Sequence, residues 1–338
     1  PDGSRTFRTD YEVQPTIDEN KAFRNMANPG WKGDYHRVAS IPLNVYYDQL
    51  HEATMQDDQK FISRFLNDGD NAAWLAGGTD LLVGIRLGIR DPNRVIDLKH
   101  IPELMALEVG ADQVLIGAAA SAYDILHNSE IGSLCPGLAD ALDLIGSTQI
   151  QGRCSAGGNL CNASPAADSI PALIANGAVC RILGSSGERL LPVEDFLVGP
   201  GKNALEEDEL LVQLVLPKPM LGTSDAYLRL TPRTEMDIAV AGTGVSITLD
   251  TTGVCTAARV AIGAVAPTAL LIEAAGQALV GSKLEDDAID RAVTAVRAAA
   301  SPISDKRGSA QYRTHVVGVL VKRAIQRAQA RINAGAKA

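Results

Sequence analysis

The spacing of apolar positions changes character along this chain. Up to about residue 33 the sequence is polar and turn-rich, with no sustained period, as an extended arm would be. Phe61, Ile62, Phe65 and Leu66 then fall at helical spacing and predict a helix over 57–67, stopped by Asn67-Asp68-Gly69-Asp70. From Trp74 onward, short apolar runs of strand length alternate with helical stretches. Strands are predicted at 94–98, 114–116, 179–183 and 210–216. Helices are predicted through Leu87, from Tyr123, over 137–145 and through Ile170, Leu173 and Ile174. This alternation predicts an α/β arrangement. After Pro217-Lys218-Pro219 the order changes. Strands at 226–230, 239–249 and 257–263 come first, the last two joined across Asp250-Thr251-Thr252-Gly253 as a hairpin. Alanine-rich helical stretches at 266–280, 288–300 and 312–331 follow, which predicts a separate α+β domain.

Composition narrows the function classes. A chain of 338 residues can bury a large core in two or three domains. A net charge of −9 argues against non-specific nucleic-acid binding and against a basic membrane patch. No apolar run is long enough to span a membrane, and no signal-peptide pattern opens the chain. Cys135, Cys154, Cys161, Cys180 and Cys255 are scattered without C-x-x-C spacing. They suit neither a disulfide framework nor a zinc or iron–sulfur site. A reducing compartment, the cytoplasm, is expected. Only Tyr123, Phe196, Tyr227 and Tyr312 among the aromatic residues follow Trp74, so a compositional seam lies just before the first glycine turn.

Two glycine pairs carry the candidate chemistry. Ala76-Gly77-Gly78-Thr79-Asp80 closes the apolar run that begins at Trp74, and Ser155-Ala156-Gly157-Gly158-Asn159 is read as a second turn that also ends an apolar run. Glycine lets backbone amides approach a ligand closely, and two such turns can clamp the two phosphates of one diphosphate. Neither matches G-x-G-x-x-G or a P-loop. Ser164-Pro165 has the form of an N-cap followed by proline at the first helical position, so a helix is predicted to start there, with Asp168 in its first turns. Asp168 could accept sugar hydroxyls or simply favour the helix dipole.

The stretches AGGTDLL at 76–82, VIDLKHIPEL at 95–104, STQIQGRCSAGGNLCNASPAADSIPALIANGA at 147–178 and PRTEMDIAVAGTGVSI at 232–247 resemble the FAD-binding (medium) subunits of the molybdenum hydroxylases, the xanthine dehydrogenase and carbon monoxide dehydrogenase type. The resemblance covers roughly Trp74 to Arg331. Residues 1–73 do not share it; they resemble a segment of tailed-bacteriophage proteins and form an atypical N-terminal unit. The resemblance implies an FAD-binding domain of vanillyl-alcohol-oxidase type over 74–220, made of two α/β subdomains. It also implies a C-terminal flavoprotein domain of antiparallel sheet plus helices over 224–332. By the same resemblance Ala76, Gly77, Gly78, Thr79 and Asp80 form one diphosphate loop, and Ser155, Ala156, Gly157, Gly158 and Asn159 the other. Thr-Ile-Gly-Gly is more usual at this second loop. Asn162 and Asp168 would hold ribose or ribitol hydroxyls, and Leu211 would pack by the flavin or adenine. Arg229 stands where relatives often carry Lys near the isoalloxazine. Taken alone, Arg229 is equally a solvated strand residue, and Glu235 and Asp237 could be salt-bridge partners, although the resemblance of PRTEMDIA implies a place near the flavin.

The function so implied is an FAD-carrying electron-transfer subunit with no catalytic residue assigned on this chain. Its partners would be a large molybdenum-cofactor subunit and a small [2Fe–2S] subunit, and its acceptor NAD⁺, oxygen or a quinone. A rival of another class is a structural or interaction protein, virion-associated, whose glycine turns bind nothing.

Overall fold

The computed structural model describes the backbone of residues 39–40 and residues 72–234 and 236–335. The arm, the helix expected at 57–67 and Glu235 lie outside the described residues.

Three main sheets follow one another along the described residues. Strands β1 (Ala39–Ser40), β2 (Ala72–Leu75) and β3 (Arg94–Asp97) form a small parallel sheet in the order β1-β3-β2, with helix α1 (Leu81–Arg86) between β2 and β3. Leu75, Ile85 and Val95 make its own small core. A 3₁₀ turn at Leu98–His100 leads to α2 (Pro102–Met105), β4 (Leu107–Val109) and β5 (Gln113–Gly117). Helices α3 (Ala122–His127) and α4 (Ser129–Leu134) follow, each opened by a capping side chain. The Ser121 hydroxyl accepts from the Asp124 amide, and Asn128 Oδ1 accepts from the Ile131 amide. Next come α5 (Pro136–Asp143), α6 (Thr148–Gln151), α7 (Ala156–Cys161) and α8 (Ser169–Ala175), then β6 (Val179–Gly184), β7 (Gly187–Pro192), α9 (Val193–Phe196), β8 (Leu197–Gly199), β9 (Lys202–Asn203) and β10 (Leu210–Pro217). The second sheet runs β4-β5-β10-β6-β7 and is antiparallel throughout. Its buried Val114, Ile116, Ile182, Leu214 and Leu216 pack against Leu138, Leu142, Leu160, Ile170 and Leu173 of the helices.

The C-terminal unit is the predicted α+β domain. Strands β11 (Thr223–Leu230), β12 (Ala241–Leu249), β13 (Cys255–Gly263) and β14 (Leu270–Leu271) pair antiparallel in sequence order. Helices α10 (Glu273–Leu279), α11 (Asp286–Ala299) and α12 (Ala310–Gly335) complete it. Val245, Ile247, Val260 and Ile262 meet Val293, Val296, Val317, Val321 and Ile325 in a second core.

Two elements outside the cofactor site differ notably from the pattern-based expectation. The helix expected over 266–280 starts only at Glu273, because Leu270 and Leu271 instead pair with Ile262 and Ala261 of β13. Tertiary pairing overrides a weak alanine propensity. The helix over 129–134 is additional to the two foreseen between β5 and α6.

The joint between the halves is close because three glycines remove side chains from it. A Cβ at Gly244 would overlap the Pro171 carbonyl, and one at Gly263 would lie 2.7 Å from Pro171 Cγ. Helix α8 therefore lies directly on the C-terminal sheet. A Cβ at Gly242 would come within 2.7 Å of the Tyr227 hydroxyl, so this glycine makes room for the phenol. Polar ties reinforce the joint. Arg259 donates to the Ile174 carbonyl at 2.9 Å and pairs with Glu194 at 2.7 Å. Arg331 donates to both oxygens of Asp140, and to the Asp225 carbonyl at 2.7 Å.

Candidate cofactor site

A cavity of about 1070 Å³ opens between the first two sheets and the edge of the C-terminal unit. Small-molecule sites span roughly 300–1,000 Å³, so this one suits a large ligand. Both glycine turns line it.

The first turn leaves β2 and enters α1. Gly78 adopts φ +79°, a left-handed conformation that an L side chain strains. Gly77 has a different reason to be glycine: a Cβ there would overlap the Arg153 carbonyl oxygen and lie 2.8 Å from Cys154 Cα. The first turn is thus stacked on the backbone leading into the second. Lys99 holds it from behind, donating to the Ala76 carbonyl at 2.7 Å and pairing with Asp97 at 2.6 Å.

The second turn does not close an apolar run, as the first does. It follows α6 and is itself the start of α7, with Ser155 as N-cap accepting from the Gly158 amide at 3.0 Å. Gly157 is pressed against strand-end backbone, since a Cβ would lie 2.5 Å from the Ala118 carbonyl oxygen. Gly158 has more freedom; a Cβ there would meet the Ser155 hydroxyl at 2.9 Å and Ala76 Cβ at 3.9 Å. The two turns face each other across this gap. Asn159 accepts from the Ser169 hydroxyl at 2.7 Å, tying α7 to α8.

The helix expected to start at Ser164-Pro165 begins instead at Ser169. Pro171 explains the shift. A helix starting at Pro165 would place Pro171 in its interior, where the ring clashes with the preceding turn and an N–H is missing. Starting at Ser169 puts that proline in the first turn, where it is tolerated. Asp168 therefore sits at the N-cap position, and its side chain makes no capping bond. Instead its Oδ1 accepts from the Tyr227 hydroxyl at 2.8 Å and its Oδ2 from Arg229 at 2.7 Å.

Ala76, Gly77, Gly78, Thr79, Asp80, Ser155, Gly157, Gly158, Asn159, Asn162, Asp168 and Leu211 all line this one cavity. Ala156 and Arg229 are not among its lining residues. Ala156 is fully buried in the core. The Arg229 side chain is only 4% exposed, engaged with Asp168, and its Nε has no hydrogen-bond partner. Asp237 and Ile238, on the loop between β11 and β12, line the cavity from the C-terminal side. Met236 beside them holds φ +50°, uncommon for a residue with a side chain.

Burial pushes the Asp168 carboxyl up to about 6, against the opposing pull of Arg229 and the Tyr227 hydroxyl. Burial and the neighbouring carboxylate raise the Tyr227 phenol well above its ordinary value, so it remains a donor. Cys154 and Cys161 also line the cavity, and burial raises their thiols to about 11 and about 12. Both are protonated at neutral pH and poor nucleophiles.

Sequence reasoning passed over Lys99, Asn203, Tyr227 and the Ile145–Gly146 turn. Asn203 donates to the Cys161 carbonyl at 2.8 Å and fastens the β8–β9 hairpin over the cavity. A signal existed for Tyr227: it stands two residues before Arg229 on one strand, hence on the same face.

Two glycine turns, an acidic side chain and an apolar wall thus open on one cavity large enough for a dinucleotide, and comparison with known proteins gives the class. Residues 46–219 match the FAD-binding domain of molybdopterin dehydrogenases, and residues 226–328 match the carbon monoxide dehydrogenase flavoprotein C-terminal domain. The chain belongs to this family, the FAD-binding subunits of molybdenum-hydroxylase-type oxidoreductases. The first match starts at residue 46, inside the segment that composition sets apart. The chain is 34% identical to the carbon monoxide dehydrogenase medium chain of Afipia carboxidovorans, over 78% of this chain and 91% of that one. It is 30% identical to the xanthine dehydrogenase FAD-binding subunit of Escherichia coli, with the same coverage of each. The structure of carbon monoxide dehydrogenase from Hydrogenophaga pseudoflava superposes with a TM-score of 0.76 at 35% identity, covering 80% of this chain and 94% of that one. Among the described residues no helix is long and apolar enough to cross a membrane.

Proposed function

We propose that this chain holds FAD with its diphosphate between the two glycine turns, and serves as the electron-transfer subunit of a multisubunit molybdenum hydroxylase. The observation that carries this is the stacking of Gly77 on the Arg153–Cys154 backbone, by which two turns far apart in sequence open on one cavity. The residues fit the cofactor. Neither Gly77, Gly78, Gly157 nor Gly158 places a Cβ between its backbone and the ligand, and Asn162 and Asp168 offer polar groups for sugar hydroxyls. Leu211 offers an apolar wall. When bound, FAD supplies the exchange between one-electron carriers and a two-electron acceptor.

In this reading the substrate is oxidised at a molybdenum cofactor on a large subunit, and [2Fe–2S] clusters on a small subunit connect it to this chain. The final acceptor is NAD⁺, oxygen or a quinone, and the complex is cytoplasmic. The partners are supported by the relatives and by what this chain lacks: its cysteines have no cluster spacing. Co-purification with metal analysis tests the assembly. Anaerobic exposure of the isolated chain to purines, aldehydes or CO tests the relay. The flavin should stay oxidised without the partner subunits, and rapid bleaching would overturn the reading.

A further inference from the structure

We propose that Tyr227 and Arg229, neither of which lines the cavity, are positioning residues that hold the Asp168 carboxylate at the cavity wall for hydroxyls of the bound FAD. This rests on the FAD reading above and deepens it. The two donors come from β11 in the C-terminal domain, and the acceptor from the start of α8 in the other. Each donor takes a different oxygen of the carboxylate, at 2.8 and 2.7 Å, which fixes the plane of the group. The supporting packing is specific. Gly242 pairs with Arg229 across β11 and β12 and vacates the space that the Tyr227 hydroxyl fills, while Gly244 and Gly263 let Pro171 bring the start of α8 onto the sheet. The Tyr227 amide also donates to Asp140 at 3.3 Å, which Arg331 grips. Arg229 is thereby committed to Asp168, with one further contact at 3.5 Å to the Asp237 carbonyl. An Arg here acts through the carboxylate instead of touching the flavin ring.

The charged and titratable groups facing Asp168 are Arg229 and Tyr227 from β11, with Asp237 on the following loop at the same cavity. Asn159 at the same cavity wall and Ser169, which bond each other between α7 and α8, carry no titrating group in the working range. Ionised Asp168 accepts ligand hydroxyls; protonated Asp168 accepts them poorly. FAD affinity should therefore fall as pH drops through about 6. Tyr227→Phe removes a hydrogen bond that favours the charged form, so the midpoint must move to higher pH.

The test is FAD titration of the full-length apoprotein, followed by flavin fluorescence from pH 5 to 8.5. Tyr227→Phe should weaken binding roughly tenfold near pH 8 and raise the midpoint by about half a unit or more. Asp168→Asn should abolish the pH step, and adding Tyr227→Phe to it should cost nothing further, the non-additivity expected of groups acting as one. If Tyr227→Phe does not fold, Arg229→Gln takes its place in the same cycle with the same expectation. Unchanged affinity and midpoint in the single variant, or full additivity in the double, would overturn the proposal while leaving the FAD reading intact. Failure of the wild-type apoprotein to bind FAD would overturn both.

Discussion

The two glycine turns share the dipeptide Gly-Gly and differ in why each glycine is needed. In the first, Gly77 is excluded from bearing a side chain by its neighbour's backbone, and Gly78 by its own left-handed φ. In the second no φ is positive; Gly157 is confined by Ala118, and Gly158 meets the hydroxyl of its own N-cap and, at 3.9 Å, Ala76 of the other turn. Equivalent letters in the sequence thus answer to backbone packing, backbone conformation and the gap between the turns separately. Substituting each glycine by alanine separates these roles.

Gly77→Ala should have the largest effect. The new methyl meets backbone, which cannot swing aside, so the turns must part. A loss of about 3 kcal/mol in denaturant unfolding is expected, at the upper end of overpacking costs, together with loss of bound FAD. Wild-type stability for this variant would refute the stacked arrangement. Gly78→Ala should cost about 1–2 kcal/mol from the left-handed backbone, with weakened but measurable FAD binding. Gly158→Ala should change stability least. Alanine gains about 1 kcal/mol of helix propensity over glycine, offset by crowding of the rotatable Ser155 hydroxyl. Its effect should appear in FAD affinity, because the methyl projects toward Ala76 across the gap between turns. An affinity equal to wild type would show that the phosphate does not occupy that gap.

Much of this was legible in the sequence, for identifiable reasons. Glycine pairs signal close backbone approach whatever the neighbour is, so both turns stood out. The neighbour itself did not: nothing local to Gly77 names Arg153, and nothing local to Gly244 names Pro171. The order of strands and helices was readable from periodicity, but pairing was not: among the described residues only β3 pairs in parallel, with β1 and β2, and the strands that follow it pair antiparallel. Ser164-Pro165 has the form of a helix start, but Pro171 in the same stretch is compatible only with the later start at Ser169 that the structure shows. Arg229 is placed near the flavin only by resemblance to relatives that carry Lys there, whereas its partner in the structure depends on a domain joint that no local pattern encodes.

Asp225 shows the same joint from the side of stability. It is a buried residue of β11 facing Gly137 of α5, with Asn176 donating to Oδ2 at 2.6 Å and Oδ1 left without a partner. Burial pushes its carboxyl up to about 6, above the ordinary aspartate value, so the native state binds this proton more tightly than the unfolded chain does. The sign follows: Asp225 favours the fold at acidic pH, and that contribution is lost as pH rises from about 4 through about 6. Asp225→Asn should flatten the pH dependence of stability across this window, measured by urea unfolding at each pH. An unchanged slope would place the titrating group elsewhere.

The grip of Arg331 on Asp140 also carries a consequence for biosynthesis. Domains generally fold as they leave the ribosome, the earlier one first. Here α5 of the earlier half waits for a side chain near the end of α12, and Asp168 waits for β11. We expect the flavin to be acquired late, after nearly the whole chain has emerged. Nascent chains stalled with only residues 1–224 exposed should retain no FAD, and those exposing α12 should.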